Sequence, residues 1–433
     1  MDAGFILQRY ATAEKVAYTL RRPLFTGRSR RPAAVVMERN PRGETRNLVL
    51  SVGPLPDGMD EVDVLARYDE AWVTAPEFAA AHLTALAVPP LRASDGRLLL
   101  LQRFSDGMRR NLHPLNEELR GGVLGRGTDT RRTADPASRF AGVVGSLLGG
   151  WNKEPTCVEM SVLDLLGRCG GGSIEFDPSS NRAFPVLVGN VHGNLHGGSL
   201  LIAPHGGAHV TDYWLTDLVV YSHSSPVVQD PVSLVVSVVA AELAGLVPTQ
   251  RDALAGQLVG DDGHGGPSWL FGLIAAVHRT TRAWAGEFCS AEAWRRQELL
   301  CLAGCAMSAA RDATDDADRL WWLAVAERAV TAHEEIAEPD PVGSAAARRS
   351  GYSGQLKVSV CRRLHADWQE VADLCEIPPY DRRTFERGRE PQGVWEWLES
   401  RGRLSELPDV LLVLGRLDLV GELAADADGT MPT

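Results

Sequence analysis

The feature that most constrains this chain is residues 192–199, which read His-Gly-Asn-Leu-His-Gly-Gly-Ser and lead into the apolar run Leu200–Ile202. The glycines in this stretch disfavour a helix, because glycine is costly in a helix interior. The short apolar run that follows predicts a buried strand. The sequence therefore predicts a loop rich in polar side chains at the edge of a hydrophobic core.

Composition places the chain among folded proteins and limits its partners. Its 433 residues are 44% hydrophobic and 23% charged, which is typical of globular protein in two or three domains. A net charge of −12 disfavours nucleic acid as a partner. No apolar run approaches the ~18 residues of a membrane span, and the first residues lack a secretory pattern. The 7 cysteines show no C-x-x-C pairing, which predicts reduced thiols in the cytoplasm.

Residues 1–110 predict a β-rich segment with two helices. Strands are expected over Ala33–Met37, Leu48–Val52 and Leu98–Gln102. Helices are expected over Asp60–Trp72 and Phe78–Ala87. In the first helix four residues fall close to one face and are expected to be its apolar side: Val62, Leu65, Tyr68 and Trp72.

Residues 111–335 predict a mostly helical segment. Helical spacing of apolar residues is found over Phe140–Leu148, Met160–Leu166, Pro231–Leu246, Ala291–Ala309 and Leu320–Ala332. Strands are expected at Val186–Val188, Leu200–Ile202 and His209–Asp212. A β-rich segment followed by a helical one, with short strands around the polar loop, predicts an α+β protein with two lobes.

The order of polar residues around the loop has a known parallel. Protein kinases place an aspartate two residues after the loop histidine as the base, and an asparagine five residues later on a metal ion. Here those positions carry Asn194 and Ser199, after His192. Further along, Val210-Thr211-Asp212-Tyr213 resembles the metal-binding aspartate with its aromatic follower, and Gln229-Asp230-Pro231 resembles the acidic start of the next helix.

On these motifs, residues 1–335 resemble the aminoglycoside-phosphotransferase branch of the protein-kinase superfamily. More narrowly, they are similar to the kinase-like ternary complex associated domains of bacterial conflict systems. The resemblance implies a two-lobed protein-kinase-like fold, with a small β-rich N-lobe over 1–110 and a helical C-lobe over 111–335. It also implies a metal contact at Asp212 and loop support by Asp230.

The first lobe departs from the family at the positions that hold the nucleotide. Ser51 stands where the resemblance implies a lysine, and Glu61 is the candidate for its acidic partner. Gly27 lies in a turn with a single glycine, and Gln102 is a further nucleotide-binding candidate. An amide at the base position lacks a basic carboxylate, and loss of a general base costs about 10²–10⁴-fold in rate. The resemblance therefore implies a pseudokinase, and it leaves open ATP with Mg²⁺, or another small ligand, in the cleft.

Simpler roles for the same residues remain open. His192, His196, His205 and His209 form two H-x-x-x-H pairs that could bind zinc, although the glycines argue against the helix such pairs need. Support of the loop through backbone hydrogen bonds is the favoured role of His192. Asp212 can be a metal ligand or a turn residue. Asp230 can support the loop or cap the helix that starts at Pro231.

Residues 336–352 predict a linker, and residues 353–424 predict a small helical bundle, followed by a disordered tail over 425–433. Asp367-Trp368-Gln369-Glu370-Val371-Ala372 and Leu414-Gly415-Arg416-Leu417-Asp418-Leu419 resemble the pattern of death-like domains, in particular the effector-associated adaptor domains of bacterial conflict proteins. The resemblance implies like-with-like pairing of bundles. The candidate partner-binding residues are Arg382, Arg383, Arg387, Arg389 and Trp397.

Together these features predict a catalytically degenerate kinase-like scaffold or sensor that recruits a protein partner through its C-terminal adaptor. The alternative is an active small-molecule or protein phosphotransferase that binds its metal through Asp212. A third possibility is a structural helical protein in which the match over 192–212 is accidental. The first possibility predicts that the chain is not an enzyme, and the second predicts an ATP-dependent one.

Overall fold

A computed structural model describes most of the chain. The described residues are 3–24, 32–56, 58–104, 113–115, 117, 136–170, 182–202, 213–261, 265–336, 354–364, 367–375, 377–378, 382, 385, 390–400, 403–404, 407–414, 416, 418–420 and 423. The chain divides into two compact units, Met1–Ile336 and Ala337–Thr433, and each is described by itself.

The N-terminal part of the first unit consists of one helix and an antiparallel sheet. Helix α1 (Ala3–Ala13) precedes six strands: β1 (Ala17–Leu24), β2 (Ala33–Arg39), β3 (Thr45–Pro54), β4 (Ala85–Leu86), β5 (Leu91–Arg92) and β6 (Arg97–Arg103). The sheet order is β1-β2-β3-β6-β4, and β5 pairs with β6 beside β4. The predicted strands at Ala33–Met37, Leu48–Val52 and Leu98–Gln102 are confirmed, each as part of a longer or equal strand.

The two faces of this sheet contact different parts of the unit. On β3, Leu48 and Leu50 pack on the face that also contacts Leu7 of α1. Val49 and Ser51 point to the opposite face, because side chains alternate along a strand. There Val49 pairs with Gln102 and Ser51 pairs with Leu100 across β6. The second face is the one that turns towards the polar loop.

Helix α2 (Glu61–Thr74) connects β3 to the rest of the unit and is followed by α3 (Pro76–His82). Asp60 caps α2 by accepting hydrogen bonds from the N–H groups of Val62 and Asp63. The predicted helix is confirmed, but part of its predicted apolar face is wrong: Val62 is 70% exposed, and the buried residues are Val64, Tyr68 and Ala71. The tertiary contacts select this stripe, which helical spacing alone does not distinguish from its neighbour. The helix predicted over Phe78–Ala87 ends at His82, and Ala85–Leu86 is β4.

The remainder of the first unit is helical with two small antiparallel sheets. Its helices are α4 (Pro136–Trp151), α5 (Val162–Arg168), α6 (Gln229–Glu242), α7 (Pro248–Leu258), α8 (Ser268–Ala285), α9 (Ala291–Asp312) and α10 (Asp316–Glu335). One sheet joins β8 (Thr156–Ser161), β9 (Ala183–Val191) and β12 (Ser222–Pro226), in the order β12-β9-β8. The other joins β7 (His113–Pro114), β10 (Leu200–Ile202) and β11 (Tyr213–Leu215), in the order β11-β10-β7.

The structure corrects one predicted helix and one predicted helix cap in this part of the chain. The helix predicted over Met160–Leu166 spans two elements, because Ser161 ends β8 and its hydroxyl caps α5 through the N–H of Asp164. The predicted N-cap role of Asp230 is wrong, since α6 already begins at Gln229 with Val228 at the cap. The strand predicted over His209–Asp212 lies outside the described residues, and β11 starts directly after it.

The second unit is a bundle of short helices with its own core. They are α11 (Gly354–Arg363), α12 (Trp368–Leu374), α13 (Glu390–Ser400) and α14 (Leu407–Val413). Val360, Val371, Trp395, Leu398 and Leu411 are among the side chains that this core buries. The predicted class is confirmed: an α+β protein with a β-rich first part, a helical second part and a C-terminal helical bundle. Within the described residues, no helix combines the length and apolarity that a bilayer crossing requires.

Candidate functional site: the loop after strand β9

The loop that follows β9 is anchored by one buried carboxylate. Asp230, on the first turn of α6 and 1% exposed, accepts hydrogen bonds from the N–H groups of His192 (2.7 Å) and Gly193 (3.1 Å). The side-chain amide of Gln229 donates to the carbonyl of Gly193 (3.0 Å). Burial raises the pKa of Asp230 to about 7, while its two N–H donors favour the carboxylate. The first turn of α6 therefore fixes the backbone of the loop through side-chain hydrogen bonds.

Gly193 allows the loop to pass close to the segment Leu218–Val220. Its φ is +81°, in the region that only glycine adopts readily. A Cβ atom at this position would lie 2.4 Å from the carbonyl oxygen of Val220. The glycine is thus required both by its backbone conformation and by a backbone contact that has little freedom to move.

His192 is buried and neutral, and its ring connects the loop to the residue that directly follows β11. Its Nε2 lies 2.8 Å from the carbonyl oxygen of Thr216, so Nε2 carries the proton and donates. Its Nδ1 then accepts from the N–H of Asn194 (3.4 Å). Burial lowers the pKa of His192 to about 4. A side chain placed in this way orients the backbone of the loop.

His196 and Ser199 form a closed local network. The Nδ1 of His196 accepts from the N–H groups of Gly198 (3.0 Å) and Ser199 (3.2 Å). The Ser199 hydroxyl donates to the His196 carbonyl (2.9 Å) and accepts from the His196 N–H (3.1 Å). The hydroxyl is therefore engaged within its own turn. In the described part of the chain no three His, Cys, Asp or Glu side chains are grouped to hold a metal ion, and His205 and His209 lie outside that part.

A buried acidic residue that the sequence analysis missed lies beside this network. Asp217 follows β11, has φ +67°, and its neighbour Thr216 donates its N–H to the carbonyl of Ser199 (2.9 Å). Asp217 therefore directly follows the residue that pairs with Ser199 of the loop. Asp212, the residue predicted to bind metal, is outside the described residues. The apolar triplet Tyr213–Leu215, which pairs with β10, is the signal that could have identified the acid after the second strand of the hairpin.

Gln102 connects this acid to the first sheet. Its Oε1 accepts from the N–H of Asp217 (2.9 Å), from the Tyr68 hydroxyl (2.9 Å) and from the Thr84 hydroxyl (2.9 Å). Its Nε2 donates to the hydroxyl of Ser51 (3.3 Å). All four side chains of this uncharged network (Ser51, Tyr68, Thr84 and Gln102) are buried. The structure thus brings together Ser51 and Gln102, two of the predicted nucleotide-binding residues.

The other predicted residues of the first lobe are not part of this network. Glu61 lies in the first turn of α2, with its carboxylate 3.7 Å from the guanidinium of Arg92. Tyr68, two turns later, is the residue of α2 that reaches Gln102. Gly27 lies outside the described residues. Asn194, for which the resemblance implies the position of the base, is exposed.

The site as described has two buried carboxylates: Asp230, which accepts hydrogen bonds from the loop backbone, and Asp217. The loop itself adds the exposed amide of Asn194. An amide has no basic lone pair with which to take a proton from an attacking hydroxyl. A single carboxylate binds Mg²⁺ only together with substrate phosphates and water. The arrangement is therefore equipped to hold the two parts of the first unit together through neutral hydrogen bonds.

The buried neutral His192 predicts a specific pH dependence of stability. Its folded pKa of about 4 lies below the ordinary 6.5, so the unfolded chain binds the proton more readily. The stability that His192 contributes is complete above pH 6.5 and is lost as the pH falls towards 4. From pH 7 to pH 5 we expect the wild type to lose roughly 2 kcal/mol more than His192→Gln, measured by urea unfolding. Asp230 titrates in both proteins, so its contribution largely cancels, and parallel stability profiles would contradict the assignment.

In the second unit, Arg382 is tied to its own bundle. Its Nε donates to the carbonyl of Ile377 (2.7 Å), it donates to the carbonyl of Ala372 (3.1 Å), and it pairs with Asp373. Trp397 is half-buried against the core, with the Arg403 guanidinium 5.5 Å from its ring. Arg383, Arg387 and Arg389 lie outside the described residues.

Charged side chains also connect the first and last parts of this bundle. Arg416 pairs with Asp367 and with Asp418, and Asp418 also pairs with Arg363. The hydrogen bonds from Arg416 and Arg363 hold the pKa of Asp418 well below its usual range. Because these groups are partly exposed to solvent, each pair contributes little to stability, and their arrangement matters more for the surface they form.

The chain thus consists of an α+β first unit, with a β-rich part followed by a helical part, and a second unit that is a helical bundle. Residues 354–426 match the family model described as Bacterial Death-like domain 3. No curated protein matches the chain. Among solved structures, the chain is similar to amicoumacin kinase hAmiN in complex with AMP-PNP, Ca2+ and Ami, at 11% sequence identity and a TM-score of 0.35. That match covers 79% of this chain and 96% of that chain, and it carries no inference about individual residues of the site.

Proposed function

We propose that this protein is a catalytically degenerate, kinase-like scaffold that recruits a protein partner through its C-terminal death-like domain. In this proposal the first unit has kept the architecture of a phosphotransferase and has exchanged its reactive groups for neutral ones. The setting we propose is a cytoplasmic bacterial conflict or signalling complex, in which a separate protein supplies the catalytic activity.

The observation that carries the proposal is the uncharged network around Gln102. Ser51 occupies the position of the expected lysine, and it donates no positive charge to a phosphate. Asn194 and Ser199 replace the base and one metal ligand, and the Ser199 hydroxyl is engaged by His196. A buried neutral network of this kind is satisfied without ligand, so it needs no nucleotide to be stable.

The match of residues 354–426 supports the second part of the proposal. Death-like domains mediate interactions between proteins, and the bundle has a separate core and a charged surface built by Arg363, Arg416 and Asp418. Such a charged surface favours a partner of complementary charge and fixes the orientation of docking. We propose that the partner carries a bundle of the same kind.

A phosphotransfer assay tests the first part of the proposal. Purified full-length protein is incubated with ATP and Mg²⁺, and release of phosphate and labelling of protein are followed. We expect background rates for the wild type, for Asp217→Asn and for Asp212→Ala alike. Asn194→Asp is expected to add no activity, because the positions of the metal ligand and the lysine remain serine.

A different outcome would identify the alternative function. Turnover by the wild type that is lost in Asp217→Asn or in Asp212→Ala would mean an active phosphotransferase with an unusual base. This test is needed because the carboxylate of Asp217 is buried beside the loop.

A further inference from the structure

An apolar cluster joins the first sheet to the β10–β11 hairpin. It is centred on Trp214, which is 7% exposed and meets the ring of Phe104 edge-on at 5.7 Å. The cluster consists of side chains from β1, β2, β3, the end of β6, β10 and β11: Leu24, Val35, Val49, Phe104, Leu201 and Trp214. The indole therefore fills the space between the two sheets.

This cluster lies among the residues that sequence analysis assigned to nucleotide binding. Val49 is two residues before Ser51 on the same face of β3 and pairs with Gln102. On the other side, Leu201 is two residues after Ser199 and pairs with Trp214. Because Val49 is the cross-strand neighbour of Gln102 and packs in the same cluster as Trp214, a nucleotide base held between this face of the first sheet and the hairpin would compete with the indole for space.

We propose that Trp214 is a built-in occupant of the base slot, so that the cleft of this protein is closed to nucleotides in its folded state. An indole is a flat fused bicycle of nearly the same outline as a purine, and it is sandwiched here between aliphatic side chains of two sheets. The inference rests on the kinase-like cleft of the proposed function and deepens it, because it assigns the loss of ligand binding to one side chain.

The state of the indole N–H indicates that apolar packing, and no polar contact, holds the Trp214 ring in place. The indole N–H of Trp214 is buried and has no hydrogen-bond partner among the described residues. A side chain selected for a polar contact would have its donor satisfied, because an unmade buried hydrogen bond is costly. The ring is thus held by contact with its apolar neighbours.

The free-energy cost of displacing the Trp214 ring determines the affinity expected for a nucleotide. A nucleotide that displaced Trp214 would expose an aromatic side chain of roughly 150–250 Å² to water. At about 25 cal/mol for each Å² of apolar surface, this weakens binding by on the order of 10³-fold. Binding of ATP or adenine to the wild type is therefore expected to be undetectable at millimolar concentration.

The test removes the indole by mutation and then adds a purine to the protein. Trp214→Ala, Trp214→Val and the wild type, all as full-length protein, are followed by thermal unfolding with and without millimolar adenine, and with ATP and Mg²⁺. We expect a lower Tm for both variants and an increase in their Tm with adenine, because a ligand that binds only the folded state stabilises it. The wild type is expected to show no shift.

Trp294→Ala is the matched control, since Trp294 is also buried but lies among the helices of the first unit. Its Tm is expected to fall and to remain unchanged by adenine. Stabilisation of the wild type by adenine or ATP would overturn the inference. So would a failure of adenine to stabilise either Trp214 variant, with Trp214→Val serving if Trp214→Ala does not fold. Turnover of ATP by the wild type would defeat the proposed function as well, whereas failure of adenine alone would leave that function standing.

Discussion

Replacing Gly193 with alanine is expected to destabilise the first unit by about 3–5 kcal/mol, the largest effect of any single methyl group at this site. The residue has φ +81°, a conformation that costs any residue with a Cβ about 1–2 kcal/mol. The added carbon would also lie 2.4 Å from the carbonyl oxygen of Val220. That oxygen belongs to the backbone, so relief of the clash requires the loop to move away from Asp230 and to lose its hydrogen bonds.

Gly96→Ala is the control for the cost of the backbone conformation alone. Gly96 has φ +82°, and a Cβ there would meet nothing within 4 Å. We expect this variant to lose only about 1–2 kcal/mol in urea unfolding followed by tryptophan fluorescence. Equal losses in the two variants would show that the contact with Val220 is soft and that the loop is held less tightly than the structure indicates.

Trp395→Ala is expected to unfold the C-terminal bundle while the first unit stays folded. Trp395 is 2% exposed in a small core, and truncation of a buried tryptophan costs about 3–5 kcal/mol. A helical unit of this size has only roughly 4–10 kcal/mol of stability in total. The two units have separate cores, so hydrogen exchange is expected to rise over 354–423 and to remain unchanged over the first unit.

The same variant tests partner recruitment. If the adaptor proposal is correct, the wild type captures a protein that carries a matching helical bundle, and Trp395→Ala loses that capture. Leu412→Ala is the control, because Leu412 is 55% exposed on α14 and its truncation is expected to cost less than about 0.5 kcal/mol. Capture by the wild type and Trp395→Ala alike would mean that the partner binds elsewhere.

Much of the site was predictable because its residues are consecutive. The loop 192–199 and the strand Leu200–Ile202 follow from local pattern, whereas the support of the loop by Asp230 was implied by the family resemblance. The strand predicted over Leu48–Val52 likewise located Ser51 within β3. These features depend on short-range periodicity, which is visible in one dimension.

What the sequence missed depends on contacts between distant segments. Asp217 becomes part of the site only because β11 pairs with β10, and Gln102 reaches it from more than a hundred positions earlier. The buried stripe of α2 was also misassigned, since Val62 and Val64 are both apolar and only the packing decides between them. Helix α8 and strand β12 had no counterpart in the predictions at all.

The sequence by itself determined the class of the protein: a β-rich part, a helical part and a separate helical bundle, with the amide of Asn194 and the hydroxyl of Ser199 in one polar loop. These are properties of residue type and local spacing. Only the tertiary structure decided that Ser51, Tyr68, Thr84 and Gln102 share one neutral network and that Trp214 lies between the sheets. Side chains so far apart along the chain meet only when the sheets close on each other, and that closure is driven by burial of apolar surface from both sides.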